Sequence, residues 1–421
     1  MTAEMADPRS PKIPGGGRQL RRWWLLAMAV VLVFGVVSVA GYAFSRGREA
    51  ADLPEGWQVI RPPREVSALA EWSGLVWAGG VDGLCALDMD SGSQAPEAVA
   101  SLEDAGSLRY VSSLLVDRRG RLWVGHEAGL TMYASTPPVD TGGSVSATGA
   151  SVVTVPGGRG VVRAVSYGEA EGLPDSMVRC LLEDAEGRIW AGTHRGAVAI
   201  EDGRITVLDS TQGLLADSVS VMLEDSSGGL WFGSTEAPRG GLSLLLDGSW
   251  QYFTSEDGLP HNNVNALLED GNGAVWVATG YYDRGGVARL VARLVAGGGS
   301  ADDGAGTAGR DGWPQWVVAG VWDRTSGMPG AKARSLYQAE DGSLWLGTEY
   351  DGVLRVGPGV LGGEQPAVLR GHVFNEANGL THNEVKVLLQ DVNGNLWLGT
   401  YDGITRIAKS ALARLAETGE D

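Results

Sequence analysis

Residues 219–245 read VSVMLEDSSGGLWFGSTEAPRGGLSLL, and this unit returns in altered form six more times along the chain. The alternate members of its first five residues are apolar, as in a strand buried on one face. Asp225 and the Ser-Ser-Gly that follows supply turn chemistry, which predicts a hairpin into a second strand at residues 229–234. That strand contains Trp231, the largest apolar side chain of the unit. With a third strand predicted at residues 242–245, the unit is a run of antiparallel strands.

Each of the seven units is centred on one tryptophan, and these are Trp77, Trp123, Trp190, Trp231, Trp276, Trp345 and Trp397. A second signature separates the units and is clearest at residues 250–263, WQYFTSEDGLPHNN, where a further strand precedes a polar residue, Gly-Leu and a polar loop. Each unit is therefore predicted to have four strands. Four short antiparallel strands repeating at roughly 40 to 50 residues are typical of a propeller blade. The predicted fold is all-β, a seven-bladed β-propeller of four-stranded antiparallel blades.

The two ends of the repeat region predict how the propeller closes. Residues 57–60, WQVI, resemble the fourth strand WQYF at residues 250–253, yet they precede the first unit. The last unit ends at Ile407 without a fourth strand. We expect the N-terminal strand to complete the seventh blade, which leaves no open sheet edge. The propeller is then predicted at residues 56–407, followed by a short helix and an acidic tail at residues 408–421.

The N-terminal part of the chain predicts a membrane anchor. Residues 23–44 are an uninterrupted apolar stretch, long enough to span a bilayer core of about 30 Å as a helix. Arginines at residues 18–22 precede it, so we expect a disordered cytoplasmic tail at residues 1–22 and an extracytoplasmic propeller, joined to the anchor by a linker at residues 45–55. This predicts a single-pass protein of the cell membrane. Small residues at 38–43 leave open cleavage as a signal peptide.

Composition excludes several classes of function. The net charge of −18 argues against a nucleic-acid partner and against an anionic membrane surface. Cys85 and Cys180 fall in predicted strands of different units, which indicates buried, unpaired thiols and excludes a disulfide scaffold. The sequence has no nucleophile elbow, phosphate loop or zinc-helix signature, so we expect no cofactor, no metal and no enzymatic activity.

The repeat resembles the two-component regulator propeller repeat, best matched by LLEDAEGRIWAGT at residues 181–193, LLEDGNGAVWVAT at 267–279 and LLQDVNGNLWLGT at 388–400. GLPHNN at 258–263 and GLTHNE at 379–384 match the connecting motif of that family. The resemblance implies the extracytoplasmic ligand-sensing part of a membrane-bound hybrid sensor kinase, many of which respond to oligosaccharides. No kinase or response-regulator region follows the repeats, so we expect signalling through a partner kinase or another envelope protein.

Residues that differ between the units predict the functional face. Glycine-, serine- or alanine-rich inserts follow three of the third strands and occupy one face of the propeller. On the opposite face lie the second-to-third-strand loops and the Gly-Leu loops. Their variable side chains suit a polar ligand such as an oligosaccharide, with aromatic faces for stacking and charges for orientation. They are His126, His194, Arg195, Glu236, Arg239, His261, Asn262, Tyr281, Tyr282, Asp283, Arg284, Glu349, Tyr350, Asp351, His382, Tyr401 and Asp402.

Two other functions remain open for this face. A lyase or hydrolase could use the histidines of these loops as a general base, if three or more of them converged. A scaffold could instead bind other envelope proteins through the loops or the blade edges. The same loops also fit an ordinary solvated rim, because loops on one face of any propeller are polar.

Overall fold

A computed structural model describes residues 53–135, 151–152, 162–236, 238–294, 314–358 and 368–417. Within them the chain forms seven antiparallel sheets, which we call blades 1 to 7 in chain order. The innermost strand of each blade contacts the innermost strand of the next, and that of blade 7 contacts that of blade 1. The seven sheets therefore form a closed propeller, as predicted.

The strands are numbered in chain order, and β1 spans Trp57–Ile60. Blade 1 contains β2 Ala68–Trp72, β3 Leu75–Gly80 and β4 Gly83–Asp88. Blade 2 contains β5 Ser113–Val116, β6 Leu122–His126, β7 Gly129–Ser135, β8 Ser151–Val152 and β9 Val162–Tyr167. Blade 3 contains β10 Cys180–Glu183, β11 Ile189–Thr193, β12 Gly196–Glu201 and β13 Arg204–Leu208. Blade 4 contains β14 Val219–Glu224, β15 Leu230–Ser234, β16 Leu242–Leu246 and β17 Ser249–Phe253. Blade 5 contains β18 Val264–Glu269, β19 Val275–Tyr281, β20 Arg284–Leu294 and β21 Pro314–Trp322. Blade 6 contains β22 Ala333–Gln338, β23 Leu344–Thr348, β24 Val353–Val356 and β25 His372–Phe374. Blade 7 contains β26 Val385–Gln390, β27 Leu396–Thr400 and β28 Gly403–Ile407, together with β1.

Blade 7 is completed by the N-terminal strand, which confirms the predicted closure. Strand β1 pairs antiparallel with β28, with Trp57 opposite Ile407 and Ile60 opposite Ile404. A helix, Lys409–Glu417, follows β28.

The predicted four-stranded antiparallel blade is confirmed, and blades 1 and 2 depart from it in strand number. Five sheets have four strands, blade 1 has three, and blade 2 has five because β8 pairs with β9. Beside β4 the chain makes one bridge, between Leu87 and Gln94, and then enters helix α1, Pro96–Ala100. Proline has no N–H for a sheet ladder and is favoured in the first turn of a helix, which explains why no fourth strand forms there.

The predicted membrane segment at residues 23–44 lies outside the described residues, as do the tail at residues 1–22 and most of the linker. No helix in the described part of the chain is long and apolar enough to cross a membrane. Cys85 and Cys180 are both free and are half-buried rather than fully buried. Burial raises the pKa of the Cys85 thiol to about 11 and that of Cys180 to about 12.

The hydrophobic core lies between adjacent blades. One cluster joins Trp231 and Leu244 of blade 4 to Val275 and Val277 of blade 5, and equivalent clusters join other neighbouring pairs. The seven repeat tryptophans are all buried, with exposures between 0% and 7%. Each blade therefore completes its core only against its neighbour, as expected for a repeat that cannot bury its apolar face alone.

The repeated aspartate holds the tryptophan in place. Asp225 accepts backbone hydrogen bonds from Ser227 and Gly229 of the hairpin through Oδ1, and its Oδ2 accepts the indole N–H of Trp231 at 2.7 Å. The same aspartate–tryptophan bond occurs in blades 2, 3, 5 and 7. In blade 6 the indole of Trp345 donates instead to Ser343 Oγ. The predicted capping role of the aspartates is thus confirmed, and the indole bond adds to it.

The Gly-Leu signature forms the corner into the next blade. In blade 4 Thr254 caps a short 3₁₀ turn, Ser255–Asp257, and Gly258 ends it with a φ of +105°. Leu259 is then 3% exposed and packs in the core between blades 4 and 5. Glycine is required because this left-handed conformation is costly for other residues.

Candidate ligand-binding site

The predicted site residues lie around one face, which we call the loop face. In an antiparallel blade the first strand begins, the second ends, the third begins and the fourth ends at this face, so both kinds of variable loop share it. We define the mouth as the loop-face end of the seven innermost strands. It is formed by the residues on either side of the buried first valine or alanine of each repeat, namely Glu65, Ser67, Tyr110, Ser112, Met177, Arg179, Ser218, Ser220, Asn263, Asn265, Lys332, Arg334, Glu384 and Lys386.

Irregular pairing sets the direction of several mouth side chains. Register shifts in blades 4 to 7 leave Ser220, Asn265, Arg334 and Lys386 unpaired within their innermost strands. Such bulges re-aim a side chain and are common beside functional sites. The chain thus places polar and charged groups at the mouth without losing the buried residue that precedes each of them.

A chain of alternating charges crosses the mouth from blade 6 to blade 1. Glu349 pairs with Lys332 and lies 3.8 Å from Arg334 Nε. Arg334 also pairs with Glu384 at 2.7 Å, Lys386 lies 3.8 Å from Glu384, and Lys386 lies 3.6 Å from Glu65. The side chains of Lys332 and Lys386 are each 13% exposed. The ammonium groups of these two lysines are therefore largely removed from water, and their pairing with glutamates stabilises them.

Tyr350 stands above this charged chain. Its side chain is 60% exposed, and its hydroxyl donates to Glu349 Oε1 at 2.7 Å. Burial alone would raise the pKa of Glu349, but the hydrogen bonds from Lys332 and Tyr350 and the nearby cations lower it below its usual value. Glu349 is therefore a carboxylate at neutral pH.

A second aromatic group lies on blade 7. Tyr401 is 46% exposed, and the Lys386 ammonium lies 5.3 Å from the centre of its ring. The centre of the His382 ring also lies 5.3 Å from the centre of the Tyr401 ring. His382 Nδ1 accepts a hydrogen bond from the backbone N–H of Glu384. Exposed aromatic faces beside buried charges are the kind of surface on which sugar rings and other polar ligands stack.

A third aromatic group lies on blade 5. Tyr281 and Tyr282 meet edge to face at 4.2 Å, and His261 stacks on Tyr281 at 6.5 Å. Tyr282 is 65% exposed and has a φ of +53°, which is strained for a bulky residue. Burial and then the charge of Arg284 lower the pKa of His261. Asp283 belongs to the same exposed turn.

Blades 3 and 4 meet around Arg179. Its Nη1 donates to Ser218 Oγ at 3.1 Å and to Thr235 Oγ1 at 2.8 Å. Ser218 Oγ also lies 3.3 Å from His194 Nδ1. Burial, and then the charge of Arg179, lower the pKa of His194, so its ring is neutral at neutral pH.

Three of the remaining predicted residues form ion pairs or hydrogen bonds within and between the loops. Asp351 pairs with Arg324 at 3.3 Å and Asp402 with Arg61 at 3.0 Å, both within or between neighbouring loops. Asn262 joins two loop backbones, donating to Pro238 O and accepting from the N–H of Ser255. The other three lie in the second-to-third-strand loops of blades 3 and 4, next to residues of the Arg179 cluster and the Asn262 contact. They are Arg195, Glu236 and Arg239.

His126 departs from its expected place in a loop, because it ends β6 and is only 6% exposed. Its Nδ1 accepts the N–H of Ala128, and its Nε2 lies 3.0 Å from Thr131 Oγ1. Burial lowers the pKa of His126, so its ring is neutral. Both ring nitrogens make their contacts within blade 2. In the described ranges, moreover, no three His, Cys, Asp or Glu side chains are placed so that they could hold a metal ion.

Sequence reasoning missed the mouth itself. Arg179, Arg334 and Lys386 occupy the second position of their repeats, where the other units have serine or asparagine. The signal was present in the aligned repeats, because a position that is small and polar in four units and cationic in three is not needed for packing. It could not be interpreted without the tertiary structure, in which bulges leave Arg334 and Lys386 unpaired within their strands.

The fold and its loop face define a seven-bladed β-propeller whose mouth is charged and bordered by exposed tyrosines. Six of its seven repeats match the two component regulator propeller family model, which confirms the resemblance. The family model matches residues 106–128, 172–195, 213–236, 258–281, 327–350 and 379–402. Curated protein sequences give no match to the chain.

Solved structures share the fold at low sequence identity. The extracellular domain of BT3049 from B. thetaiotaomicron, described as part of a hybrid two component system, has a TM-score of 0.56 and 17% identity, covering 85% of this chain and 42% of that one. Virginiamycin B lyase from Staphylococcus aureus has a TM-score of 0.51 and 13% identity, covering 83% and 98%. YCF48 from Cyanidioschyzon merolae has a TM-score of 0.52 and 11% identity, covering 84% and 99%. This chain thus spans about two fifths of the BT3049 domain, and these similarities concern the fold alone.

Proposed function

We propose that this protein is a non-catalytic sensor or binding propeller that captures a polar ligand, such as an oligosaccharide, on its loop face. The observation that carries the proposal is the convergence at the mouth. Charged side chains from blades 6, 7 and 1 meet there, next to Tyr350 and Tyr401, which are 60% and 46% exposed. Aromatic faces offer stacking surface and the charges offer orientation, a combination typical of sites for polar ligands.

A catalytic role has less support. The four histidines of the candidate set are distributed over different blades, and His126 is engaged inside its own blade. General base catalysis needs a base within hydrogen-bond reach of the reacting group and a partner that orients it. The similarity to virginiamycin B lyase concerns the fold and does not transfer its activity.

Titration calorimetry of the protein against a panel of oligosaccharides tests this proposal. We expect binding that the double substitution Tyr350→Ala with Asp351→Ala reduces at least about tenfold, because it removes an exposed stacking surface above the mouth and an ion pair of the neighbouring loop. Tyr252→Ala is the matched control, since Tyr252 is also an exposed tyrosine, at 40%, but lies on the outermost strand of blade 4. Binding that both variants retain unchanged would exclude this part of the loop face as the site.

We also propose that residues 23–44 anchor the propeller outside the cytoplasm and that a partner kinase or envelope protein receives the signal. The apolar run and the preceding arginines support this arrangement. Membranes washed with alkaline carbonate should retain the full-length protein, and protease added to intact cells stripped of outer layers should digest the propeller. Release of the protein by carbonate would contradict the anchor.

A further inference from the structure

Arg179 is the mouth cation that differs from the others. Lys332, Arg334 and Lys386 each pair with a glutamate, whereas no carboxylate among the described residues lies within ion-pair distance of Arg179. Its contacts are the hydroxyls of Ser218 and Thr235, which carry no charge. Arginine keeps its proton under all ordinary conditions, so a positive charge without a counter-charge is held in a half-buried position.

The free edge of this guanidinium has the right geometry for a carboxylate. Both protein hydrogen bonds go to one nitrogen, Nη1. Within the described ranges, Nε and Nη2 donate to no protein acceptor. These two nitrogens form the edge with which arginine binds a carboxylate through two parallel hydrogen bonds. The hydroxyls of Ser218 and Thr235 meanwhile hold the guanidinium from its other side, which reduces the conformational entropy that binding would cost.

The surroundings of Arg179 favour an anion. Burial lowers the pKa of Arg179, and the positive charge of Arg334 lowers it further, so the two cations act on each other. The four mouth cations face the three glutamates that pair with them, Glu65, Glu349 and Glu384, which leaves one positive charge in excess. This excess stands out in a chain whose net charge is −18. A local positive field raises the concentration of anionic ligands at a site.

Asn263 provides a second, independent observation. It holds in blade 5 the position that Ser218 holds in blade 4, immediately before the buried valine of the repeat. Asn263 is 4% exposed, and its Oδ1 accepts no hydrogen bond within the described residues. A buried amide oxygen without a donor is destabilising, so such groups commonly complete their bonding with a ligand. A ligand hydroxyl is the simplest donor for it.

We propose that Arg179 binds the carboxylate of a small hydroxylated acid, such as a sugar acid, at the mouth of the propeller. Ser218 and Thr235 position the guanidinium, Arg334 adds positive potential, and Asn263 accepts a hydrogen bond from a ligand hydroxyl. A carboxylate fits better than a doubly charged phosphate or sulfate, because one excess positive charge balances one negative charge. The inference rests on the proposed function and names the class of its ligand.

Calorimetry of the full-length protein with D-glucuronate and D-glucose tests the inference, because the two sugars differ in the carboxylate. We expect glucuronate to bind and glucose to bind at least about tenfold more weakly, as the loss of a charge-assisted hydrogen bond implies. Arg179→Gln should weaken glucuronate binding about ten- to a hundredfold, and Arg179→Lys, which keeps the charge but not the two-pronged edge, should fall in between. Arg204→Gln is the matched control, since Arg204 is exposed on the outermost strand of the same blade.

Each outcome has one meaning. Equal affinity for both sugars, or glucuronate binding that Arg179→Gln leaves unchanged in a variant of unaltered melting temperature, overturns the inference. Failure of glucuronate and of acetate to bind, while a neutral oligosaccharide binds in a Tyr350-dependent way, overturns it and leaves the proposed function standing. If neither acids nor neutral oligosaccharides bind, the proposed function fails as well. Binding of sulfate in place of glucuronate would retain an anion site but contradict the carboxylate.

Discussion

A chain that begins at residue 61 is expected to melt at least about 10 °C below a chain that begins at residue 53, or to fail to fold. The two chains differ only in the segment that contains β1. That strand is the outermost strand of blade 7, and its Trp57 and Ile60 are 8% and 6% exposed. Trp57 also packs on Phe374 of blade 6, with ring centres 5.2 Å apart. Losing these two side chains from the core costs about 5–10 kcal/mol, which approaches the whole stability of a typical domain.

The expected effect reaches beyond blade 7. Ile60 packs in the cluster that joins blades 7 and 1, together with Val66 and Trp397. Without β1 the edge of β28 would also be left open for pairing with another chain, which favours aggregation. Differential scanning calorimetry of the two purified chains measures the difference. Equal melting temperatures would show that the ring does not depend on closure by its first strand.

Replacing Trp231 by alanine is expected to cost about 3–5 kcal/mol of unfolding free energy. The side chain is 0% exposed, its ring meets Trp316 edge to face at 4.9 Å, and it stacks on Phe253 at 5.8 Å. Alanine would leave a large cavity between blades 4 and 5. It would also remove the indole donor from Asp225 Oδ2, a buried carboxylate oxygen.

Trp250→Ala is the matched control, because it is the same substitution in the same blade at a half-buried position. Trp250 lies on the outermost strand, stacks on Tyr252 at 6.2 Å and donates to Gln212 O. We expect it to cost about 1 kcal/mol. Urea unfolding followed by tryptophan fluorescence gives both values. Equal losses for the two variants would mean that the repeat tryptophan is not the anchor of the interface between the blades.

The architecture could be predicted because the same pattern occurs seven times. Strand alternation, the Asp-x-x-Gly hairpin and the tryptophan are local features, and repetition makes each unit a check on the others. The closure by residues 57–60 was predictable for the same reason, since WQVI matches the fourth strand at residues 250–253. Blade 1 was mispredicted where repetition fails, because Pro96 starts a helix in the segment that another blade would use for its fourth strand.

The candidate site was only partly predictable. The variable loops identify the loop face, and Tyr281, Tyr350 and Tyr401 are exposed on it. The pairings at the mouth join residues far apart in sequence, such as Arg334 with Glu384 and Lys386 with Glu65. No local pattern encodes such pairs, since they depend on how neighbouring blades meet.

The sequence by itself determined the propeller, the number of blades, the strand that closes it and the face that carries its variation. These follow from periodic local patterns, in which each residue's role is set by neighbours a few positions away. Only the tertiary structure decided which charges are compensated. Bulges at the starts of the innermost strands bring side chains from several blades to one mouth, and there Arg179 alone among the four cations finds hydroxyls where the others find carboxylates. Because charge compensation depends on distances between blades, it becomes visible only when the ring is closed.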